Sequence, residues 1–327
     1  MLIRCEYGIQ YKKNLYLRGI SLHTVKNNVI DDTVLYLWSE KFVPDIDYFY
    51  FKEVPSYFHV EDRKDIELLL DTKTSFLTWN VLKDAKYVAI VSNKEFQKLE
   101  DQVKKQILLE QAQIKRGFVF TLDELEQLQK GPLRSLFEPY IFTYNNKECV
   151  ILQGFIWKNL PKNIQADLLI RIAGWFTDKT SISKKELGKE WETLQKANHY
   201  IASYFNTFIG LNGPNCLGAT LASIQQKIET AELYLNKWVH TEEFYKVLKE
   251  NRYNKTDSTA ICKYSILVWE KDNQAIHACY MISEDLVFNK NGQTMFNPYQ
   301  CLKISDVIDT WKWVVSNGGK LSIYQKR

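Results

Sequence analysis

The sequence predicts an α+β protein in two parts, and three observations carry that expectation. Residues 1 to about 90 hold short β-branched and aromatic runs separated by turn residues. The middle of the chain repeats a helix-start signature, Ser or Thr followed three residues later by Glu, at Ser92/Glu95, Thr121/Glu124 and Ser183/Glu186. The last third places an apolar stretch of helical spacing after Cys216, then short apolar strands parted by polar turns, which predicts a helix packed on a small antiparallel sheet. The polar break at 177–183 predicts a mixed strand and helix domain over 1–180 and a second domain over 181–327.

In chain order, strands are expected at Leu2–Tyr11, Leu15–Ile20, Val34–Trp38, Tyr48–Phe51 and Tyr87–Val91, with turn chemistry at Asp31-Asp32 and Pro44-Asp45. Asp65–Leu70 and Leu77–Leu82 suit a short helix or a strand equally. A helix starts at Ser92 with the stripe Phe96, Leu99, Val103 and Ile107, and Gly117 ends it. A shorter one runs from Thr121 to Leu128, where Lys130-Gly131-Pro132 breaks it. A strand pair follows at Tyr140–Tyr144 and Cys149–Trp157, joined by Asn145-Asn146, then a helix at Ile164–Phe176. From Ser183 the stripe Leu187, Trp191, Leu194, Ile201 and Phe205 predicts one more helix. Beyond the Cys216 helix, a helical run covers Thr230–Glu250 with a break near His240-Thr241. Strands Cys262–Trp269, His277–Ile282 and Leu286–Asn289, a helix at Asp306–Val315 and a strand at Leu321–Tyr324 close the chain.

Composition narrows the function classes. Of 327 residues, 43 are basic and 39 acidic, with the signs interspersed, so nucleic acid is a poor partner. No apolar run is long enough to span a bilayer, and the first residues lack the layout of a signal peptide. Six cysteines lie scattered without a CxxC pair, which argues against a zinc site or disulfide scaffold and for reduced thiols in a cytoplasm. Nothing in the sequence calls for a metal or an organic cofactor. No dinucleotide or P-loop fingerprint is present, because Gly210, Gly213 and Gly218 have the wrong spacing.

The chemistry concentrates in two stretches. Gly213-Pro214-Asn215-Cys216-Leu217-Gly218 sets a cysteine at a helix N-terminus, where free backbone N–H groups and the helix dipole favour a thiolate. Some sixty residues on, His277 opens a strand, Ser283-Glu284-Asp285 turns, and Asn289 closes the next strand. Adjacent antiparallel strands would set His277 beside Asn289. Thiolate, imidazole and a polar residue orienting the imidazole make a cysteine-nucleophile site, with Cys216, His277 and Asn289 in those roles. The Cys216 backbone N–H plus Asn215 or Asn212 would supply an oxyanion hole. Each residue also has a plain structural role: Cys216 as a small hydrophobe, His277 as a solvated strand end, Asn215 or Asn212 as helix caps. The other five cysteines read as structural, His23, His59, His199 and His240 as surface residues, and the tryptophans as core.

Helix-borne cysteine followed by a strand-borne histidine and asparagine resembles the papain-like fold, and more narrowly the NlpC-type cysteine peptidases and amidases. In those enzymes the histidine opens one strand and a polar residue closes the next, a pattern that the twelve-residue separation of His277 and Asn289 suits. The wording also resembles uncharacterised bacterial proteins that pair a Gly-Pro-Asn-Cys turn with a Val-Phe-x-Lys-Asn-Gly ending, here Val287-Phe288-Asn289-Lys290-Asn291-Gly292. The resemblance covers about 205–315. It departs from the better-known hydrolases in carrying Asn215-Cys216-Leu217-Gly218 where they carry Asp-Cys-Ser-Gly. It implies a cysteine hydrolase acting on an amide or thioester, with peptide or cell-wall-peptide substrates, and an N-terminal region that selects substrate or binds a protein partner. A thiol acyltransferase and a non-catalytic interaction protein on the same scaffold are the rival readings.

Overall fold

The computed structural model describes residues 22–44, 46–75, 78, 80–127 and 134–327. The strands expected before residue 21, the Lys130-Gly131-Pro132 break and Cys5 lie outside them, as does part of Leu77–Leu82. The chain is a mixed α+β protein with small antiparallel sheets. It forms two compact units, residues 36–171 and a second built from 172–327 together with the segment that ends at residue 35.

In the 36–171 unit, Tyr87–Ser92 is the central strand between Ile46–Phe51 and Glu61–Asp62. A second small sheet centres on Lys147–Val150, flanked by Phe120–Thr121 and Phe142–Tyr144. Asn145 and Asn146, both at positive φ, make the tight turn between two of these strands, as their dipeptide predicts. The capping boxes at Ser92 and Thr121 are both formed. The helix expected over 92–117 is two, Asn93–Gln97 and Asp101–Gln113. Gln111 bonds both backbone groups of Tyr50, and Arg116 pairs with the buried Asp47, so this unit fixes its first strand with polar anchors.

Two expectations fail for local reasons. Val34–Trp38 is helical, within Asp32–Lys41, because Asp31 accepts the N–H of Val34 through its side chain and starts a helix where a turn was read. The strand at Cys149 stops at Val150, and Gly154–Asn159 is a helix. The Ser183 box is formed too, but Gly188 at positive φ and Asn198 with extended φ divide the expected helix, giving Lys184–Leu187, Lys189–Ala197 and His199–Tyr204.

The candidate chemistry lies in the other unit. Its sheet has six antiparallel strands: β1 (Tyr253–Thr256), β2 (Ile266–Lys271), β3 (Gln274–Met281), β4 (Leu286–Lys290), β5 (Tyr299–Lys303) and β6 (Lys320–Lys326). Their order is β5-β4-β3-β2-β6-β1. Strand alternation divides the side chains cleanly. Ile266, Val268, Ala278 and Tyr280 pack with helix α1 (Cys216–Ser223) and helix α2 (Thr241–Glu250), while Leu267, Trp269, Cys279, Met281 and Val287 pack with helix α3 (Ile304–Ser316). With both faces covered, β2 to β5 are mostly buried along both sets of alternating side chains, polar Asn289, Lys290 and Gln300 included. Strands β1 and β5 were not anticipated. Between α1 and α2, Ile228–Leu235 is a separate helix, so the run expected over 230–250 is broken, its second part starting at Thr241 where the break near His240-Thr241 was expected.

Candidate active site

Asn215 initiates α1. Its Oδ1 accepts the N–H of Gly218 at 3.0 Å, and its Nδ2 donates to the Val239 carbonyl at 2.8 Å. Cys216 is thereby the first residue of the helix, 9% exposed, with its side chain turned toward the sheet. Backbone N–H groups of Ala278, Leu217 and Cys216 itself point at the sulfur. Gly213 donates its N–H to the Gln293 carbonyl at 2.7 Å, tying the Gly-Pro-Asn-Cys turn to the loop after β4.

Strands β3 and β4 leave a place for that sulfur. They pair only at Tyr280 with Phe288 and Met281 with Val287, although β3 starts at Gln274 and β4 runs on to Lys290. Beyond the last pair the strands separate, and the Ala278 backbone there favours the ionised form of Cys216. A bulge accompanies the separation: Trp269 faces His277 and Glu270 faces Ala275, so Ile276 is the extra residue.

Across the gap, His277 Nε2 lies 2.8 Å from Asn289 Oδ1. The amide of Asn289 is oriented by its other end, where Nδ2 donates to Asn291 Oδ1 at 3.2 Å, and that same oxygen accepts Trp311 Nε1 at 3.2 Å. Since Asn289 presents its oxygen, Nε2 must carry the imidazole proton, and Nδ1 holds the lone pair. Nδ1 is buried and has no hydrogen-bonding partner. The ring stacks on Trp311 at 4.2 Å and 9° and leans on Trp269. His277 is fully buried inside β3, which corrects the reading of it as a strand-opening, solvated residue.

Burial sets the electrostatics. Without a carboxylate beside it, His277 is pulled down from 6.5 to about 3 by desolvation, the bond to Asn289 opposing this only in part. Desolvation also pushes the Cys216 thiol up, and the three N–H groups and the Lys290 charge do not offset it. The helix N-terminus therefore does not hold a thiolate in this state, contrary to the expectation from its position alone. The depressed His277 value has a sign that can be checked. The unfolded chain binds a proton near pH 6.5 and the folded chain does not until near 3, so folding loses stability as pH falls through that interval. Urea midpoints are expected to fall between pH 7 and 5, and His277→Gln to flatten that slope; an unchanged slope would show that His277 titrates normally.

The five sites named from the sequence are partly gathered. His277 and Asn289 touch directly, and Cys216 lines a cleft with Trp311, the ring that stacks on His277, with no hydrogen bond between its sulfur and Nδ1. Asn215 lies beside Cys216, but its amide is engaged in the cap and with Val239; Asn212 accepts the N–H of Met295 and braces the same loop. Both serve the framework rather than an oxyanion. A cleft of about 590 Å³ opens onto Cys216, lined among others by Trp238, His240, Gln274, Gln293 and Trp311. Besides Asn215, Gln274 and Gln293 place side-chain amides on its wall, and the sequence had singled out neither. Trp311 and Asn291 were likewise missed, although Asn291 stands in the quoted Val-Phe-x-Lys-Asn-Gly ending. Of the other cysteines, Cys149, Cys279 and Cys301 are buried, but Cys262 is exposed and does not serve the core.

Among the described residues, no group of three or more His, Cys, Asp or Glu could hold a metal, and no helix is long and apolar enough to cross a membrane. No family model, curated protein or solved structure matches the chain.

Proposed function

We propose that the protein is a cysteine hydrolase of papain-like, NlpC-type architecture, with Cys216 as nucleophile, His277 as base and Asn289 as the residue that orients it. The observation that carries this reading is the tautomer. A buried imidazole with Nε2–H fixed on an amide oxygen keeps its Nδ1 lone pair unpaired, and the backbone of the very next residue favours the charged form of a cysteine at a helix N-terminus. A core histidine would have both nitrogens satisfied. His277 stays neutral at pH 7, the form that can accept a proton.

In the proposed reaction, the sulfur attacks the carbonyl carbon of an amide or thioester in the cleft while its proton passes to Nδ1. The leaving amine or thiol departs with that proton, and a water then cleaves the acyl–sulfur bond. The cleft's tryptophans and glutamine amides suit an acyl group flanked by peptide-like donors and acceptors, so peptides, including cell-wall peptides, are the substrate class. The test is to trap the intermediate: incubation with short peptidyl thioesters, acid quench, and mass spectrometry of the tryptic peptides. Acylation confined to Cys216 is expected; labelling spread over the cysteines, or restricted to the exposed Cys262, would refute the proposal.

One observation favours a second reading, a binding protein on the same scaffold. The His277 and Asn289 side chains are wholly buried and Nδ1 does not engage the sulfur, so the groups are close without being coupled. The same trapping experiment separates the two.

A further inference from the structure

Lys290, at the end of β4, is the residue least explained by the scheme above. It is fully buried, and a buried ammonium ordinarily has a carboxylate beside it. Here its Nζ donates to two backbone carbonyls, those of Thr294 and Asn297, and lies 5.3 Å from the centre of the Tyr299 ring. No carboxylate pairs with it among the described residues. Titratable groups on the three elements packed against this strand include Cys216 on α1, His277 and Cys279 on β3, and Tyr299 on β5. Tyr299 and Cys279 are held protonated, both pushed upward by burial. Of these groups only Cys216 interacts electrostatically with the Lys290 ammonium, and each favours the charged form of the other.

His277 is badly placed for the same duty. Between Trp269 and Trp311, with a neutral amide on Nε2, an imidazolium would have no anion beside it except the thiolate. The Trp faces would return part of the desolvation cost of a cation, but they lie equally over the neutral ring.

We propose that Lys290 is the positioning residue that supplies the positive charge balancing the Cys216 thiolate, while His277 remains neutral and moves protons. This rests on the nucleophile reading above and gives that site its pH regulation. When the thiol proton leaves, through His277 to substrate or to solvent, the charge left on sulfur is met by an ammonium that was already in place. The site thus passes from a thiol with an ammonium to a thiolate with an ammonium, and no imidazolium need persist. Burial draws Lys290 down to about 7, so the counter-charge itself is lost as pH rises above neutrality unless the thiolate holds it.

Two measurements on the full chain test this. The first is the pH dependence of iodoacetamide alkylation at Cys216, read by peptide mass spectrometry, for wild type, Lys290→Met, Lys290→Arg and His277→Ala. Lys290→Met is expected to move the alkylation limb upward by at least about one pH unit, roughly a tenfold slowing at pH 7. Lys290→Arg should retain most of the limb, and His277→Ala should leave its position unchanged. A merely structural lysine would lower the rate without moving the limb. If His277→Ala moves the limb and Lys290→Met does not, the imidazolium is the counter-charge; this inference falls while the hydrolase reading stands. If Cys216 fails to react at any pH in any variant while Cys262 does, both fall.

The second measurement guards against a Lys290→Met chain that does not fold. Lysine 13Cε shifts report the titration of Lys290 directly, and Cys216→Ser removes only the readily ionised sulfur. Coupling is reciprocal, so the Lys290 titration is expected to move to lower pH in Cys216→Ser. An unmoved titration overturns the proposal.

Discussion

Replacing Cys216 by alanine is expected to abolish turnover of any thioester or amide that acylates the wild-type protein, with little loss of stability. The chemical part follows from the nucleophile having no substitute. Cys279 and Cys301 are buried with thiols pushed far upward, and Cys262 sits on the surface away from His277. The stability part follows from size, since exchanging a thiol group for hydrogen sacrifices about 1 kcal/mol of buried apolar surface. The helix cap belongs to Asn215 and is untouched by the change. His277→Ala is the instructive comparison. Loss of a general base costs roughly 10²- to 10⁴-fold, so a residual rate should remain where Cys216→Ala shows none. It should also destabilise the fold, because it empties the space between Trp269 and Trp311 and strands the Asn289 oxygen. Steady-state rates together with thermal melts distinguish these cases. Cys216→Ala retaining turnover would refute the catalytic role outright; Cys216→Ala losing turnover only by unfolding would leave it unsupported.

How much of this was legible in the sequence depends on how local each cause is. Capping boxes at Ser92, Thr121 and Ser183 were legible because cap and partner lie three residues apart. The contact of His277 with Asn289 was legible for a related reason. The two strands follow one another in a single hairpin, so twelve positions bring them within reach, although the register carried on from Tyr280 would set Asn291 across from His277 and the contact with Asn289 is diagonal. Val34–Trp38 misled because a short continuous apolar and aromatic run suits either period, and the deciding bond, accepted by the Asp31 side chain from the Val34 N–H, was read as turn chemistry.

Where the cause is tertiary, the residues gave no sign. Lys290 sits in a quoted motif, yet nothing in Phe288-Asn289-Lys290-Asn291 says that one neighbour will bond an imidazole while the next is buried without a carboxylate. That outcome requires β3 and β4 to part after a single residue pair beyond the turn-proximal one, where α1 lies against both strands. Trp311 is similar. Its place over His277 is set by the packing of α3 on the opposite face, twenty residues after Asn291. The thiol's upward shift is the clearest example. A helix N-terminus lowers a thiol in water, but here the same helix end is buried, and desolvation is the larger effect.

Gly218→Ala is expected to be the most damaging small substitution in the site's framework. A methyl at 218 would stand 2.5 Å from the Tyr234 carbonyl oxygen and 3.0 Å from that of Lys237. Both are backbone atoms, so no side-chain rotation relieves the clash; either α1 or the 234–237 segment must move. Helix propensity works the other way, favouring alanine by up to about 1 kcal/mol. Overpacking against rigid neighbours costs typically 1–3 kcal/mol or more, and the displacement would also weaken the Asn215 cap, worth about 1 kcal/mol. The clash and the lost cap together exceed the propensity gain, for a net destabilisation of roughly 2 kcal/mol. Gly174→Ala provides the control. It lies in the helix Lys162–Phe176, and among the described residues its methyl would meet only Val25 Cγ1 at 4.0 Å, an ordinary contact. There propensity acts unopposed, and a gain of about 0.5–1 kcal/mol is expected. Urea denaturation of both variants reads the contrast directly. Opposite signs are expected, and Cys216 alkylation should change in Gly218→Ala alone, because only that helix carries the sulfur. A Gly218→Ala protein as stable as wild type would mean that the 234–237 carbonyls do not close over α1, and that the sulfur's position in the gap between β3 and β4 is set by something other than this contact.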